Sequence, residues 1–166
     1  MHTLPQTFNP IQDDRIYIRL KPDHDAYFAL IADWYSAEWH IPTDLTIQKL
    51  TAIAADKEQF HFLMKVRGDS VATGGIYHHV GILDRVPPLR IYRHWLALLY
   101  TRDDERGKGY GAALCQQMTI YAGQIGIKSL SLFTDTAADF YKRQGWEQLD
   151  QLTLEGRHLT VMHKNL

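Results

Sequence analysis

Leu96-Ala97-Leu98-Leu99-Tyr100-Thr101-Arg102-Asp103-Asp104-Glu105-Arg106-Gly107-Lys108-Gly109-Tyr110-Gly111 passes from an apolar run of strand length, through a charged turn, into three closely spaced glycines. From Tyr110 onward the pattern is helical: Tyr110, Ala113, Leu114, Met118, Tyr121 and Ile125 fall on one face, and Gly126 ends it. A strand, a glycine-rich turn and a helix start make an anion seat. The first N–H groups of a helix lack intrahelical partners, and the helix dipole adds positive character there. Glycines permit positive φ and close approach of the backbone to a phosphate.

Working outward, Trp95 to Thr101 is the strand entering the turn, and Ser129 to Phe133 is the strand after the helix. This predicts a right-handed βαβ crossover with parallel strands. Upstream, Ile16 to Leu20 is a short strand ended by Pro22. A helix starts near Asp25, carrying Tyr27, Leu30, Ile31 and Trp34, and a second carries Ile47, Leu50 and Ala54. Trp34 to His40 is read as lying between them. Phe60 to Val66 and Val71 to Tyr77 flank Gly68-Asp69 and predict an antiparallel hairpin, with Gly74-Gly75 marking a bulge or a close backbone approach. Val80 to Arg93 reads as irregular. Downstream, Thr136 and Asp139 suggest a capping box opening a short helix that ends near Gly145. Glu147 to Leu154 and His158 to Lys164 are two last strands around Glu155-Gly156.

The sum is one mixed α/β domain over residues 1–166, with Met1 to Asp14 as an extended lead-in. A length of 166 residues suits one domain with a substantial core. A net charge of −1 gives no global basic field for nucleic acid. The single cysteine, Cys115, excludes an intrachain disulfide and fits a reducing, cytoplasmic setting. The first residues lack the apolar core of a signal peptide, and no run reaches the ~18 apolar residues of a membrane helix.

Locally, the glycine cluster has several readings. It is not a Walker A loop, since no Gly-Lys-Ser/Thr follows at the required spacing. A Rossmann turn calls for an acid on the next strand, and Ser129 to Phe133 has none. A tight strand–helix turn without a ligand remains open on the local pattern.

Arg106-Gly107-Lys108-Gly109-Tyr110-Gly111 resembles the Arg/Gln-x-x-Gly-x-Gly/Ala motif of the GNAT N-acetyltransferase superfamily, and Phe140-Tyr141-Lys142-Arg143-Gln144-Gly145-Trp146 resembles its Phe-Tyr-x-x-x-Gly-Phe/Trp signature. The element order is similar over nearly the whole chain. The resemblance implies a GNAT-like central mixed sheet of six to seven strands with about four helices, acetyl-CoA as co-substrate, and a primary amine as acceptor. It implies that Gly107, Lys108, Gly109, Tyr110, Gly111 and Ala112 hold the pyrophosphate together with Arg106. Leu99 and Thr101, with Tyr100 between them, would pair with the pantetheine arm. Thr134 stands where many members carry a cofactor-contacting Asn. Lys142 and Arg143 read as exposed helix charges or phosphate contacts.

Amine attack on a thioester requires a neutral amine, whereas an alkylamine of pKa about 10.4 is mostly charged at neutral pH. The departing thiolate needs a proton. Tyr141 matches the family's general acid. Histone-acetylating members carry a glutamate on the strand before the turn, where Trp95 stands here and cannot accept a proton. Candidate bases are Glu38, then His79, His94 and Asp84. A His78-His79 metal pair lacks a third ligand of recognisable spacing. Trp34, Glu38 and Trp39 offer aromatic faces and an acid for a cationic amine, although Trp34 also continues an apolar stripe.

Three functions remain at this level: acetylation of a small cationic amine, acetylation of peptide or protein N-termini, and non-catalytic binding of acetyl-CoA. No metal, nucleic acid or membrane partner is expected. Pairing or swapping of the last strand would give a homodimer.

Overall fold

The computed structural model describes residues 14–166, so all of the expected lead-in except Asp14 lies outside the described residues. Seven strands form one mixed sheet: β1 (Arg15–Arg19), β2 (Phe60–Val66), β3 (Asp69–Tyr77), β4 (Trp95–Thr101), β5 (Ser129–Thr134), β6 (Glu147–Leu154) and β7 (Arg157–Asn165), in spatial order β1-β2-β3-β4-β5-β7-β6. All neighbours are antiparallel except β4 and β5, the strands of the expected crossover. Among the described residues five α-helical segments accompany them: α1 (Asp25–Trp39), α2 (Thr43–Ala54), the single turn α3 (Ile82–Arg85), α4 (Tyr110–Gln124) and α5 (Ala138–Arg143). No helix among the described residues is long and apolar enough to cross a membrane.

Side chains alternate faces along a strand, and β2 uses both. Phe60, Phe62 and Met64 pack with Leu114, Met118 and Ala122 of α4. Leu63 packs with Phe28, Ile31 and Tyr35 of α1 and Leu50 of α2. The sheet therefore has helices on both faces, which explains why β2 is almost continuously apolar. A further cluster around Trp95, Tyr77, Leu83 and Val161 closes the end of the sheet where β4 begins.

Three local expectations change. Trp34 to Trp39 is the end of α1 rather than a linker; His40, at φ 57°, stops the helix, and its N–H bonds back to Ser36 O. Thr136 and Asp139 form no capping box: Ala137 is the N-cap of α5, without a side-chain cap bond. Its N–H donates instead to Thr134 Oγ1 at 3.0 Å. Within Val80 to Arg93 the chain makes α3 and a 3-10 turn over Pro87–Ile91.

Candidate active site

β4 is bulged and parted from its parallel neighbour. Between the pairs Thr73↔Tyr100 and Gly75↔Ala97, β3 advances two residues and β4 three, so β4 carries one extra residue. Leu98 lies there at φ 60°, a left-handed conformation costly for a leucine. Against β5, β4 keeps a single register pair, Trp95↔Ser131. Arg102 N–H donates to Val71 O of β3 at 2.9 Å. By alternation the polar groups of Tyr100 also face β3, while those of Leu99 and Thr101 face the side from which β5 has diverged.

A buried network holds the bulge. The Tyr35 hydroxyl donates to Leu98 O at 2.6 Å. The Thr73 hydroxyl donates to Phe62 O at 2.8 Å. Both hydroxyl oxygens can then only accept from His61 Nε2, at 3.2 Å and 2.8 Å, so the proton of His61 is on Nε2. Nδ1 accepts from the Tyr77 hydroxyl at 2.6 Å. Burial, and then the Lys49 charge, lower the His61 pKa to about 3 and keep the ring neutral; burial raises the phenols of Tyr35 and Tyr77. Gly75 makes room for this assembly, since a Cβ there would lie 2.5 Å from His61 Nδ1 and 2.8 Å from Phe60 O.

At the other end of β4 the chain makes a short 3-10 turn, Asp103–Glu105, and enters the glycines. Gly107 and Gly109 take φ of 79° and 84°, and Gly109 is the N-cap of α4. The first N–H of this segment to find a backbone acceptor is that of Ala113, on Gly109 O. Among the described residues none of the N–H groups from Gly107 to Ala112 donates to the protein. Arg106 gathers this corner, its Nε on Thr101 O at 2.9 Å and its guanidinium on Glu38 at 3.3 Å and Asp103 at 2.5 Å, lying 5.6 Å from the Tyr100 ring centroid. The result is a cleft of about 640 Å³ lined by Glu38, Trp39, Leu99, Tyr100, Thr101, Glu105, Arg106, Gly107, Gly109, Tyr110, Gly111, Ala112, Thr136, Ala137 and Phe140. An equally large hollow, sharing Gly109 and Ala112, lies towards Arg143 and Lys164. Only the first touches the parted edge of β4, which makes it the candidate site.

Residues 57–148, more than half of the chain, match the family model described as an acetyltransferase (GNAT) domain. This chain belongs to the GNAT acetyltransferase family. No curated protein matches the sequence. Among solved structures, an aminoglycoside 6′-N-acetyltransferase complexed with coenzyme A is similar, with a TM-score of 0.72 and 13% identity over 90% of this chain and 96% of that one. A GNAT-family acetyltransferase from Streptococcus pneumoniae scores 0.68 at 15% identity, over 92% and 99%. Ard1 from Thermoplasma volcanium scores 0.66 at 16% identity, over 92% and 98%. At such identities these likenesses concern the fold.

In this GNAT domain, Leu99, Tyr100, Thr101, Arg106, Gly107, Gly109, Tyr110, Gly111 and Ala112 converge on the cleft. Lys108 points its ammonium to Glu105 at 2.9 Å, which raises its pKa, and it is not on the wall. The Thr134 hydroxyl is used in the turn before α5, and Thr134 does not line the cleft. Trp39 lines it; Trp34 packs on Tyr100, 5.4 Å between centroids, without lining it. Glu38 lines it and is ion-paired with Arg106. Lys142 and Arg143 are exposed.

Tyr141 is buried, its ring 5.0 Å from Phe140 and 6.0 Å from Trp146. Burial, and then the nearby Cys115 thiol, push its phenol above its ordinary value, so it stays protonated. It does not line the cleft; its neighbour Phe140 does. Trp95, where histone-acetylating relatives would carry a base, is fully buried with its indole N–H on Tyr92 O at 2.7 Å. His79 and Asp84 pair with each other at 3.0 Å, and His94 binds Glu58; none of these three candidate bases lines the cleft. Sequence reasoning missed the Tyr35–His61–Thr73–Tyr77 network. Its one visible trace was Gly74-Gly75, read as a bulge or close approach, and the structure contains both.

Proposed function

We propose that this domain moves the acetyl group of acetyl-CoA to a primary amine by direct attack, with a small cationic molecule as acceptor. The carrying observation is the run of unpartnered N–H groups from Gly107 to Ala112 beside the parted edge of β4. Six donors at a helix N-terminus suit a pyrophosphate. The Leu99 and Thr101 backbone groups suit the amides of a pantetheine arm, which would continue the sheet edge where β5 has left it. The exposed indole of Trp39 and the carboxylate of Glu38 suit a cationic amine.

In the reaction the amine nitrogen bonds to the thioester carbonyl carbon, the C–S bond breaks, and the thiolate takes a proton while the amine loses one. Tyr141 is assigned the donated proton, consistent with a phenol that burial keeps protonated. Glu38 is assigned to the amine. Its present partner, Arg106, belongs to the glycine turn, so a pyrophosphate drawing Arg106 away would free the carboxylate to face the acceptor.

Thiol release from acetyl-CoA over a panel of polyamines, aminoglycosides, amino acids and peptides tests this reading. Release with small amines is expected, with kcat falling about 100-fold in Tyr141→Phe while donor affinity holds. Release with peptides alone would replace the acceptor class. Thermal stabilisation by acetyl-CoA without turnover on any amine would overturn transfer altogether, and an unchanged kcat in Tyr141→Phe would remove the acid.

A further inference from the structure

Glu58, His78 and His94 meet at the end of the sheet opposite the glycine turn. Glu58 lies just before β2, His78 just after β3, and His94 just before β4. Their ligating atoms all fall within 4.8 Å of one another. Glu58 Oε1 is 2.5 Å from His94 Nε2 and 3.5 Å from His78 Nε2, and the two imidazole centroids are 5.1 Å apart. His78 Nε2 is shielded from solvent and has no hydrogen-bond partner, an unsatisfied nitrogen directed into the cluster. Leu99, the first residue of β4 on the cleft wall, lies five residues beyond His94, at most roughly 17 Å at ~3.3 Å each, which places this cluster outside the cleft.

We propose that Glu58, His78 and His94 form a binding site for a late first-row divalent metal, zinc foremost. Two imidazoles and one carboxylate are a recognised donor set for Zn²⁺, and three protein ligands leave a fourth position for water or an anion. Tetrahedral ligation at about 2.1 Å from each atom puts the ligand atoms ~3.4 Å from one another, which small side-chain rotations here reach. Both rings offer Nε2 once the His94 Nε2 proton, which donates to Glu58, moves to Nδ1 of the same ring.

The backbone around the three ligands is already tied together. Asp56 Oδ1 accepts from the N–H groups of Glu58 and Gln59, each at 2.8 Å, fixing the turn that carries the carboxylate. Gln59 Oε1 accepts from His78 N–H at 2.8 Å, and His94 O accepts from Ser131 N–H at 2.9 Å. Such outer bonds orient ligands before a metal arrives. One group opposes the cation: Arg93, whose Nε lies 3.4 Å from Glu58 Oε1. It is well exposed and free to turn to solvent.

The whole chain, stripped with a chelator, is titrated with Zn²⁺ by calorimetry and with Co²⁺ by visible absorption. One equivalent is expected, with the intense d–d bands of a four-coordinate site. His78→Ala, His94→Ala and Glu58→Gln, each shown to be folded by circular dichroism, should weaken binding about tenfold or more, and His158→Ala, at the turn end of the β6–β7 hairpin, should leave it unchanged. Absence of saturable binding overturns the proposal, as does binding that survives all three ligand variants.

Discussion

Along β3, β4 keeps five register pairs from Trp95 to Thr101; along β5 it keeps one, Trp95 with Ser131. The closed side is locked from within by Tyr35, His61, Thr73 and Tyr77, whose hydrogen bonds end on the Leu98 carbonyl. On the open side Leu99 and Thr101 have no strand partner in β5, Thr101 O taking the Arg106 Nε–H instead, and the N–H groups from Gly107 to Ala112 have no acceptor among the described residues. The difference teaches that the cleft depends on rigidity elsewhere. A strand can present a bare edge only where its other edge is held, because unpaired backbone groups otherwise seek partners.

The largest expected disturbance of this asymmetry is Gly75→Ala on the closed side. The new Cβ would sit 2.5 Å from His61 Nδ1, 2.6 Å from Tyr77 Cε2 and 2.8 Å from backbone Phe60 O, and a carbonyl in a sheet cannot step aside. Denaturant unfolding should register a loss of about 3 kcal/mol. Gly74→Ala, whose nearest neighbours are the side-chain tips of Leu99 and Met118 at 3.2 Å, should lose clearly less.

Acid is the next probe. His61 has a pKa of about 3 in the fold, against about 6.5 in the unfolded chain. Between those values the unfolded state binds the extra proton and the folded state does not, so stability is full above pH 6.5 and falls as pH drops towards 3. From pH 7 to 5 the loss attributable to His61 is about 2 kcal/mol. Denaturant titrations at the two pH values should show it, and His61→Gln should abolish that share of the slope. An unchanged slope in the variant would mean that the ring is not the neutral hub of the network.

The smallest effect on stability belongs to the open side. Gly109→Ala places a methyl in empty space, so its cost is the positive φ of 84° alone, about 1 kcal/mol. Donor binding should suffer more than folding does, since the same turn aims the free N–H groups. A thermal melt that barely moves, alongside acetyl-CoA affinity reduced about tenfold, would sharpen the contrast between the two sides; equal losses in both would break it.

Much of this was readable locally. Trp95 to Thr101 and the helix from Tyr110 appear where periodicity placed them, because apolar spacing and glycine punctuation act over a few residues. The glycine turn was legible for the same reason, and Gly107, Gly109, Gly111 and Arg106 do line one cleft. The end of α1 was misread because His40 stops the helix in a left-handed conformation without the glycine that usually marks one. The cap of α5 was misplaced because Thr134 and Thr136 are equivalent as sequence, and only the path out of β5 decides which hydroxyl reaches Ala137.

By itself the sequence determined the order of elements, the crossover and the glycine turn at the start of α4, since these depend on neighbours in the chain. Tertiary structure alone decided what β4 does at each edge. The tautomer of His61 follows from four side chains drawn from α1, β2 and β3. Glu38 meets Arg106 across 68 residues of sequence, and His78 leaves its adjacent His79 to join Glu58 and His94. Strand pairing brings such residues together by register, and register is a property of the assembled sheet that no short window of sequence carries.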